Sequence, residues 1–372
     1  MITKKHLYSW LLTVVLFAPL AGLTQQQKVV IGYVGGYRGL VNTETINASQ
    51  LTHINYAFVN IRNNRAWLTN EKTDTINFRK LNLLKAQNPA LQILISIGGW
   101  SWSEHFSDMA LTDTSRLAFA QSAVDIISRY QLDGIDIDWE YPGRPGEEDN
   151  VYRPEDKQNF TLLFQTLRQQ LNLLEQTTGR KKLLTTATGG FASFLQTTEM
   201  GKAQEYLDYI NLMTYDFYNG KIAGHHTNLY TSNKYTSSNS ADNAIQAYLA
   251  AGVPASKLVM GIAFYGRTYA LTPGATKGPG DSSTSQQYGK GYTFIKDSLY
   301  HTPAFKRYKD KQAKAPYLLN ITKGQFITYD DEWSVKYKCR YVKKHKLAGV
   351  MFWEYSSDAK GYLLNEIHKQ LP

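Results

Sequence analysis

Cysteine is almost missing: Cys339 is the only one among 372 residues, so no intrachain disulfide can brace the fold. A chain without such braces stands only by burying a large apolar core, and Cys339 itself is expected to be an inert buried thiol. After residue 24 there is no apolar run long enough to span a membrane. Acidic residues are in the minority, 31 against 41 basic ones. The basic residues are scattered and do not gather with aromatics on one surface, so a nucleic-acid partner is not expected. Their densest group, Lys336, Lys338, Arg340, Lys343, Lys344 and Lys346, is read as the solvated face of one helix.

The first two dozen residues stand apart. Lys4 and Lys5 precede an apolar run from Leu7 to Leu23, followed by the polar Gln25–Gln27. This is the pattern of a secretory signal peptide over residues 1–24, with Ala21, Gly22 and Thr24 offering small residues for cleavage. An uncleaved anchor is the competing reading, which Pro19 and the glutamine cluster disfavour. Without residues 1–24 the chain keeps 39 basic residues and a formal charge of +8. The expected product is extracellular or periplasmic, monomeric, and without stable membrane association after cleavage.

Short β-rich apolar runs alternate with stretches of helical period, as in repeated βα units around a parallel sheet. Eight strands are predicted: Lys28–Tyr33, Leu51–Val59, Leu91–Ile97, Leu132–Trp139, Leu183–Thr188, Tyr209–Thr214, Leu258–Phe264 and Ala348–Trp353. Between them, Glu155–Thr178 places Phe160, Leu163, Phe164, Leu167, Leu171 and Leu174 on one helical stripe, and Ser115–Tyr130 does so with Leu117, Ala120, Val124 and Ile127. The fold class is therefore α/β, a (β/α)8 TIM barrel. About sixty residues after the seventh strand break the rhythm, with a Gly/Pro/Ser stretch (Pro273–Ser285) and then aromatic segments. They are expected to form a small α+β insertion, 267–328, beside the C-terminal mouth of a barrel made of 25–266 and 329–372.

The segment Asp133-Gly134-Ile135-Asp136-Ile137-Asp138-Trp139-Glu140 is the most informative. On a strand, Asp136, Asp138 and Glu140 share one face and Ile135, Ile137 and Trp139 the other, same-face neighbours standing about 6.8 Å apart. Like charges stacked in a low-dielectric lumen raise at least one pKa, and Glu140, nearest the mouth, is the member able to reach a substrate. A calcium loop would need ligands on a turning loop with glycine in its middle. A magnesium–phosphate site lacks a phosphate-binding loop nearby. His105, His225 and His226 bring no carboxylate at ligand spacing, so no metal and no cofactor are expected.

These residues match the D-x-x-D-x-D-x-E signature of glycoside hydrolase family 18, which includes many chitinases, and the resemblance extends over nearly the whole chain. Ser96-Ile97-Gly98-Gly99-Trp100 is similar to the family's S-x-G-G segment, Met213-Thr214-Tyr215-Asp216 to its M-x-Y-D motif and Tyr265-Gly266-Arg267 to its Y-G-R. Trp353 resembles the tryptophan that floors the sugar site, and the long interval ending in Tyr329-Asp330-Asp331 resembles the α+β insertion of one branch.

The resemblance implies a secreted chitinase using substrate-assisted retaining catalysis on chitin or chitooligosaccharides. Glu140 would be acid and base, Asp138 would orient the acetamido group, Asp136 would share a proton with Asp138, and Tyr215 would hydrogen-bond the acetamido group from the other side. Gly99, Trp100, Tyr141, Met213, Asp216, Tyr265, Arg267 and Trp353 would contact substrate or shape its site; Tyr33 and Phe58 are either pocket lining or barrel core, and Trp102 either a sugar platform or loop packing. Asp133, Ser96 and Gly98 are expected to be structural. Two other readings stay open, an endo-β-N-acetylglucosaminidase acting on N-glycans and a lectin that binds chitin without cutting it. The intact acidic strand argues against the lectin, and the insertion, which would deepen the groove for a linear chain, against the glycan-releasing enzyme.

Overall fold

The computed structural model describes residues 27–217 and 220–372; the expected export segment, 1–24, lies outside the described residues. Fourteen strands run through the described residues in chain order: β1 Val29–Gly35, β2 His53–Arg62, β3 Arg65–Trp67, β4 Gln92–Gly98, β5 Gly134–Asp138, β6 Leu183–Gly189 and β7 Tyr209–Met213, then β8 Leu258–Ala263, β9 Tyr265–Leu271, β10 Ser283–Gly291, β11 Lys306–Asp310, β12 Ala315–Asn320, β13 Gln325–Thr328 and β14 Gly349–Trp353. Eight of them pair in parallel in the order β1-β14-β8-β7-β6-β5-β4-β2, and β2 returns to β1, closing a (β/α)8 barrel. Short β3 folds back antiparallel on β2. Closure leaves the barrel strands without free edges, and burial on both faces explains their near-continuous apolar runs.

Between barrel strands, helices cover the outside. The helix Asp156–Thr178 ends at Gly179, whose φ of +66° supplies the left-handed cap. Its Phe160, Leu163, Phe164, Leu167 and Leu171 are fully buried against the wall, each worth about 1.5–3 kcal/mol. The helix Asp113–Arg129 starts with a reciprocal cap between Thr112 and Ser115. Its expected stripe needs correcting: Leu117 is 40% exposed, and Phe119, Ala120, Ala123 and Ile127 form the buried face. The 3.6-residue period selects Phe119 and Ala123 as well as its neighbours, and packing chose the face carrying the larger ring.

After β8 the chain leaves the barrel. Strands β9–β13 form a second sheet, antiparallel, in the order β10-β9-β13-β12-β11. Strand β9 starts at Tyr265, so the boundary expected between 266 and 267 crosses a strand, while β13 ends at Thr328. Tyr269, Tyr317, Leu319 and Phe326 give this sheet a core of its own.

Where the chain returns to the barrel, a buried ion pair links several elements. Lys338, on the helix Glu332–Lys344, is 0% exposed, and its Nζ donates to Asp330 Oδ2 (2.6 Å) and Thr227 Oγ1 (2.7 Å). Asp330 also accepts from Ala263 N and Ser334 Oγ. The solvated-face reading of this basic helix therefore fails at Lys338, though Arg340, Lys343, Lys344 and Lys346 are exposed. The charge pattern of a helix does not reveal an acid 8 residues upstream whose loop passes beneath it. Cys339, beside it, is buried, and burial pushes its thiol up to about 12.

Replacing Lys338 by Met keeps the volume but strands a buried carboxylate, so stability should fall by about 3–5 kcal/mol. Guanidinium unfolding measures this; a loss under about 1 kcal/mol would contradict the cost assigned to the stranded carboxylate.

Candidate active site

Strand β5 carries the acids, and its alternation is as the sequence implies. Ile135, Ile137 and Trp139 face outward, Trp139 stacking on Phe106 (centroids 5.2 Å apart, planes 10°) and packing against Phe160. Asp136, Asp138 and Glu140 face the lumen. Glu140 lies two residues beyond the strand, where its backbone is fixed at both ends: Glu140 N donates to Ser103 Oγ (2.9 Å), and Asn150 Nδ2 donates to Glu140 O (2.8 Å).

Asp136 is the lowest and is fully buried. Four neutral groups from four other strands donate to it: Thr185 Oγ1 (2.5 Å), Ser96 Oγ (2.7 Å), Tyr33 hydroxyl (2.9 Å) and Asn211 Nδ2 (3.2 Å). Burial raises its pKa, and these four donors oppose the rise by favouring the charged form. The sequence reading has Asp136 sharing a proton with Asp138; here its oxygens are engaged by neutral donors, beneath the cleft. Asp138, above it, is raised well beyond the usual range by burial and by the charges of Glu140 and Asp136. Asp138 Oδ1 has no hydrogen-bond partner within the protein. Burial pushes Glu140 up to about 7; a hydrogen bond with Tyr141 opposes this, while Asp216 and Glu147 add to it.

Glu140 and Asp138 open onto a cleft of about 760 Å³ at the C-terminal mouth. Tyr33, Phe58, Trp100, Tyr141, Met213, Tyr215, Asp216, Tyr265, Arg267 and Trp353 line it, ten residues that the sequence reading names as substrate-facing or catalytic. Tyr33 and Phe58, left open between lining and core, belong to both, since each also packs in a small lumenal cluster with Trp353. Trp102 lines the cleft too and meets the Phe58 ring edge-on at 6.5 Å, so it packs and faces the cleft together.

Of the two adjacent glycines, the first is structural and also reaches the cleft. Gly98, expected to be structural, lines the cleft, and a Cβ on it would stand 2.2 Å from Asp138 O, so the backbone of β4 approaches β5 only with glycine there. Gly99, expected to contact substrate, lies beneath Phe58, whose ring a Cβ would meet at 2.6 Å, and it does not line the cleft. Ser96 supports Asp136, and Asp133, out of the alternation, accepts from Ile93 N and pairs with Lys85 Nζ at 2.6 Å.

A second charged group flanks the acids. Asp216 has φ +57°, a left-handed conformation sparsely used by residues other than glycine, and Arg267 grips both of its oxygens, Nε at 2.8 Å and Nη2 at 2.6 Å. His226 Nδ1 lies 3.3 Å from Asp216 Oδ1. Burial alone would raise Asp216, but the His226 hydrogen bond and the Arg267 guanidinium hold it well below the usual carboxylate range. His226, weighed in the sequence only as a metal ligand, is thus part of the site; its ring packs at 5.3 Å on Tyr265. His225 instead faces Asp310 (3.3 Å). Among the described residues no group of three or more His, Cys, Asp or Glu side chains is placed to hold a metal ion.

The sequence reading also leaves out Tyr37, Gln286 and Tyr288, which line the cleft from loop and insertion. Asn211 and Thr185 were findable, because they sit two residues from Met213 and Ala187 on lumen-facing alternation; the loop residues carry no periodic signal.

A family model described as glycosyl hydrolases family 18 matches residues 29–358. Chitinase A1 of Niallia circulans is 36% identical over 92% of this chain and 58% of its own length, so the chain spans less than two thirds of that relative. Chitinase B of Serratia marcescens is 33% identical, over 85% of this chain and 75% of its own. Among solved structures, a family 18 N-acetylglucosaminidase from Paenibacillus barengoltzii shares 42% identity with a TM-score of 0.86, covering 92% of this chain and all of that one. A chitinase from Bacillus thuringiensis gives 34% and 0.87, over 93% of this chain and 70% of that one.

Because the Tyr141 hydrogen bond favours ionised Glu140, Tyr141→Phe should move the Glu140 titration to higher pH. Carboxyl infrared or NMR titration reads this directly; a midpoint that stays put or falls contradicts the placement of the hydroxyl.

Proposed function

This chain belongs to glycosyl hydrolases family 18, and from that premise we propose that it hydrolyses β-1,4-linked N-acetylglucosamine chains with retention, the substrate's own acetamido group acting as nucleophile. The observation that carries this reading is the pairing of a lumenal carboxyl whose pKa is pushed up to about 7, Glu140, with a buried carboxyl oxygen beside it, Asp138 Oδ1, that has no partner in the protein. A raised pKa keeps Glu140 protonated at the start of the reaction, as a general acid requires. An unpartnered buried acceptor calls for a donor from outside, and the acetamido N–H of a bound sugar is such a donor.

The steps follow from these positions. A sugar rests on the Trp353 indole with its glycosidic oxygen at Glu140. Glu140 protonates that oxygen as the C–O bond breaks, and the acetamido oxygen attacks the anomeric carbon, giving an oxazolinium ion. Asp138 accepts the acetamido N–H and faces the positive charge, while Tyr215, on the adjoining wall, contacts the same group. Glu140, now ionised, takes a proton from water, which opens the ring at the anomeric carbon from the face the leaving group occupied. Asp136, held by its four donors, keeps the strand end and the charge above it in register. Asp216, clamped by Arg267 and His226, sets the negative field beside Glu140. Names among the relatives, chitinase and N-acetylglucosaminidase, support this substrate class.

Residues 25–266 with 329–372 are taken as the catalytic barrel and 267–328 as the insertion that walls its mouth, the first seam falling inside β9, which Arg267, Gln286 and Tyr288 support by lining the cleft. We also infer export directed by residues 1–24. No helix among the described residues is long and apolar enough to cross a membrane.

Glu140→Gln should lower turnover of chitooligosaccharides by at least about 10²-fold while oligomer affinity changes little, because the amide keeps the shape and loses the proton; turnover within tenfold of the parent would refute the role. The alkaline limb of the pH–rate profile should fall with a midpoint near 7, since deprotonation above that value removes the acid. Glycoprotein deglycosylation in the absence of chitooligosaccharide cleavage would favour glycan release instead.

A further inference from the structure

The two ends of the cleft differ. Around the barrel, β14 lies four places from β5 in either direction, so Trp353 faces Glu140 across the lumen. On the acid side, Trp100 meets Tyr141 edge-on (centroids 6.4 Å, planes 73°) and presents a flat ring at the rim. On the far side, the loop after β1 turns back into the mouth. The Tyr37 ring lies over Gly35, where a Cβ would come within 2.8 Å of it. It stands nearly parallel to Trp353 (centroids 6.4 Å, planes 8°) and to Phe58 (6.4 Å, 17°).

Tyr37 is held in that place. The Arg38 guanidinium lies 5.3 Å from its ring centroid and pairs with Glu354 at 3.1 Å. Glu354, directly after Trp353, is almost fully buried and also accepts from Ser356 Oγ (2.6 Å). From the insertion, Tyr288 stacks on Tyr265 (4.4 Å, 17°) and hydrogen-bonds the Trp353 indole. Two tyrosines from different parts of the chain, Tyr37 at 38% and Tyr288 at 49% exposure, therefore stand beside Trp353 at the mouth, and an ion pair to the residue after that tryptophan braces one of them.

We propose that Tyr37, braced by Arg38 and Glu354 and flanked by Tyr288, closes the cleft just beyond the sugar on Trp353, so that the chain removes single N-acetylglucosamine units from non-reducing ends. The inference rests on the hydrolytic reading above and specifies its substrate. A sugar on Trp353 with its anomeric carbon toward Glu140 sends its leaving group toward Trp100. Its 4-oxygen points the other way, at Tyr37. A further sugar joined there would need the space the tyrosine ring fills, whereas on the Trp100 side the acceptor chain runs out to solvent. Terminal residues fit; internal ones meet the ring.

The test uses the whole chain with two nitrophenyl β-glycosides, of N-acetylglucosamine and of its β-1,4 dimer, and with reducing-end-labelled tetramer. The expected first products from the tetramer are the monomer and the labelled trimer, with kcat/KM for the monomer glycoside at least tenfold above that for direct release of the dimer. Tyr37→Ala should shift this ratio at least tenfold toward the dimer, and Arg38→Ala should shift it in the same direction by less. Dimer as the first product of the parent protein, or a ratio unmoved in folded variants of both residues, overturns this inference and leaves the hydrolytic reading intact. If folded parent protein cleaves none of the three substrates, the hydrolytic reading itself fails.

Discussion

The structure is organised around the cost of burying three carboxylates in one lumen. Each is drawn out of water by the barrel wall, and each resolves the cost differently. Asp136 is satisfied by neutral donors from β1, β4, β6 and β7. Asp138 has an oxygen that nothing in the protein satisfies. Glu140, held back by little besides Tyr141, responds by keeping its proton to about 7. The ladder thus runs from a buried carboxyl held by four protein donors to one at the mouth that keeps its proton, with an unpartnered oxygen between them.

That arrangement needs a closed barrel, because only closure brings donors from four other strands onto one carboxylate. Asp216 stands beside the ladder without sharing its protons. Arg267 and His226 hold it ionised, so it acts on Glu140 as a fixed negative charge instead of competing for the same proton. The insertion contributes Tyr288 and Gln286 to the cleft, and Arg267 sits on β9, the strand that carries the chain from barrel to insertion. Lys338 and Asp330 tie the end of that excursion back under Thr227, one residue from His226.

Most of the barrel was legible in the sequence because its strands are short, β-rich and separated by helical stripes, and because period-2 alternation on β5 assigns each acid to a face. The same rule would have found Asn211 and Thr185. What it could not find lies where no period operates. Tyr37 and Tyr288 reach the cleft from a loop and from a strand of the second sheet. His226 meets a carboxylate ten residues before it and Lys338 an acid 8 residues before it, separations that neither strand nor helix period sets. That Gly98 and not Gly99 lines the cleft has a related reason: which of two adjacent glycines faces it depends on a backbone turn (φ +109° and +85°) that residue types alone do not set.

The central claim is that the nucleophile belongs to the substrate and that Asp138 and Tyr215 exist to present it. Hydrolysis rates of aryl glycosides whose N-acetyl group carries zero to three fluorine atoms test this most directly. Each fluorine weakens the acyl oxygen as a nucleophile while leaving the leaving group and the acid unchanged. The account predicts a steep, progressive fall in kcat/KM across the series; a flat series would place the nucleophile on the protein and contradict it.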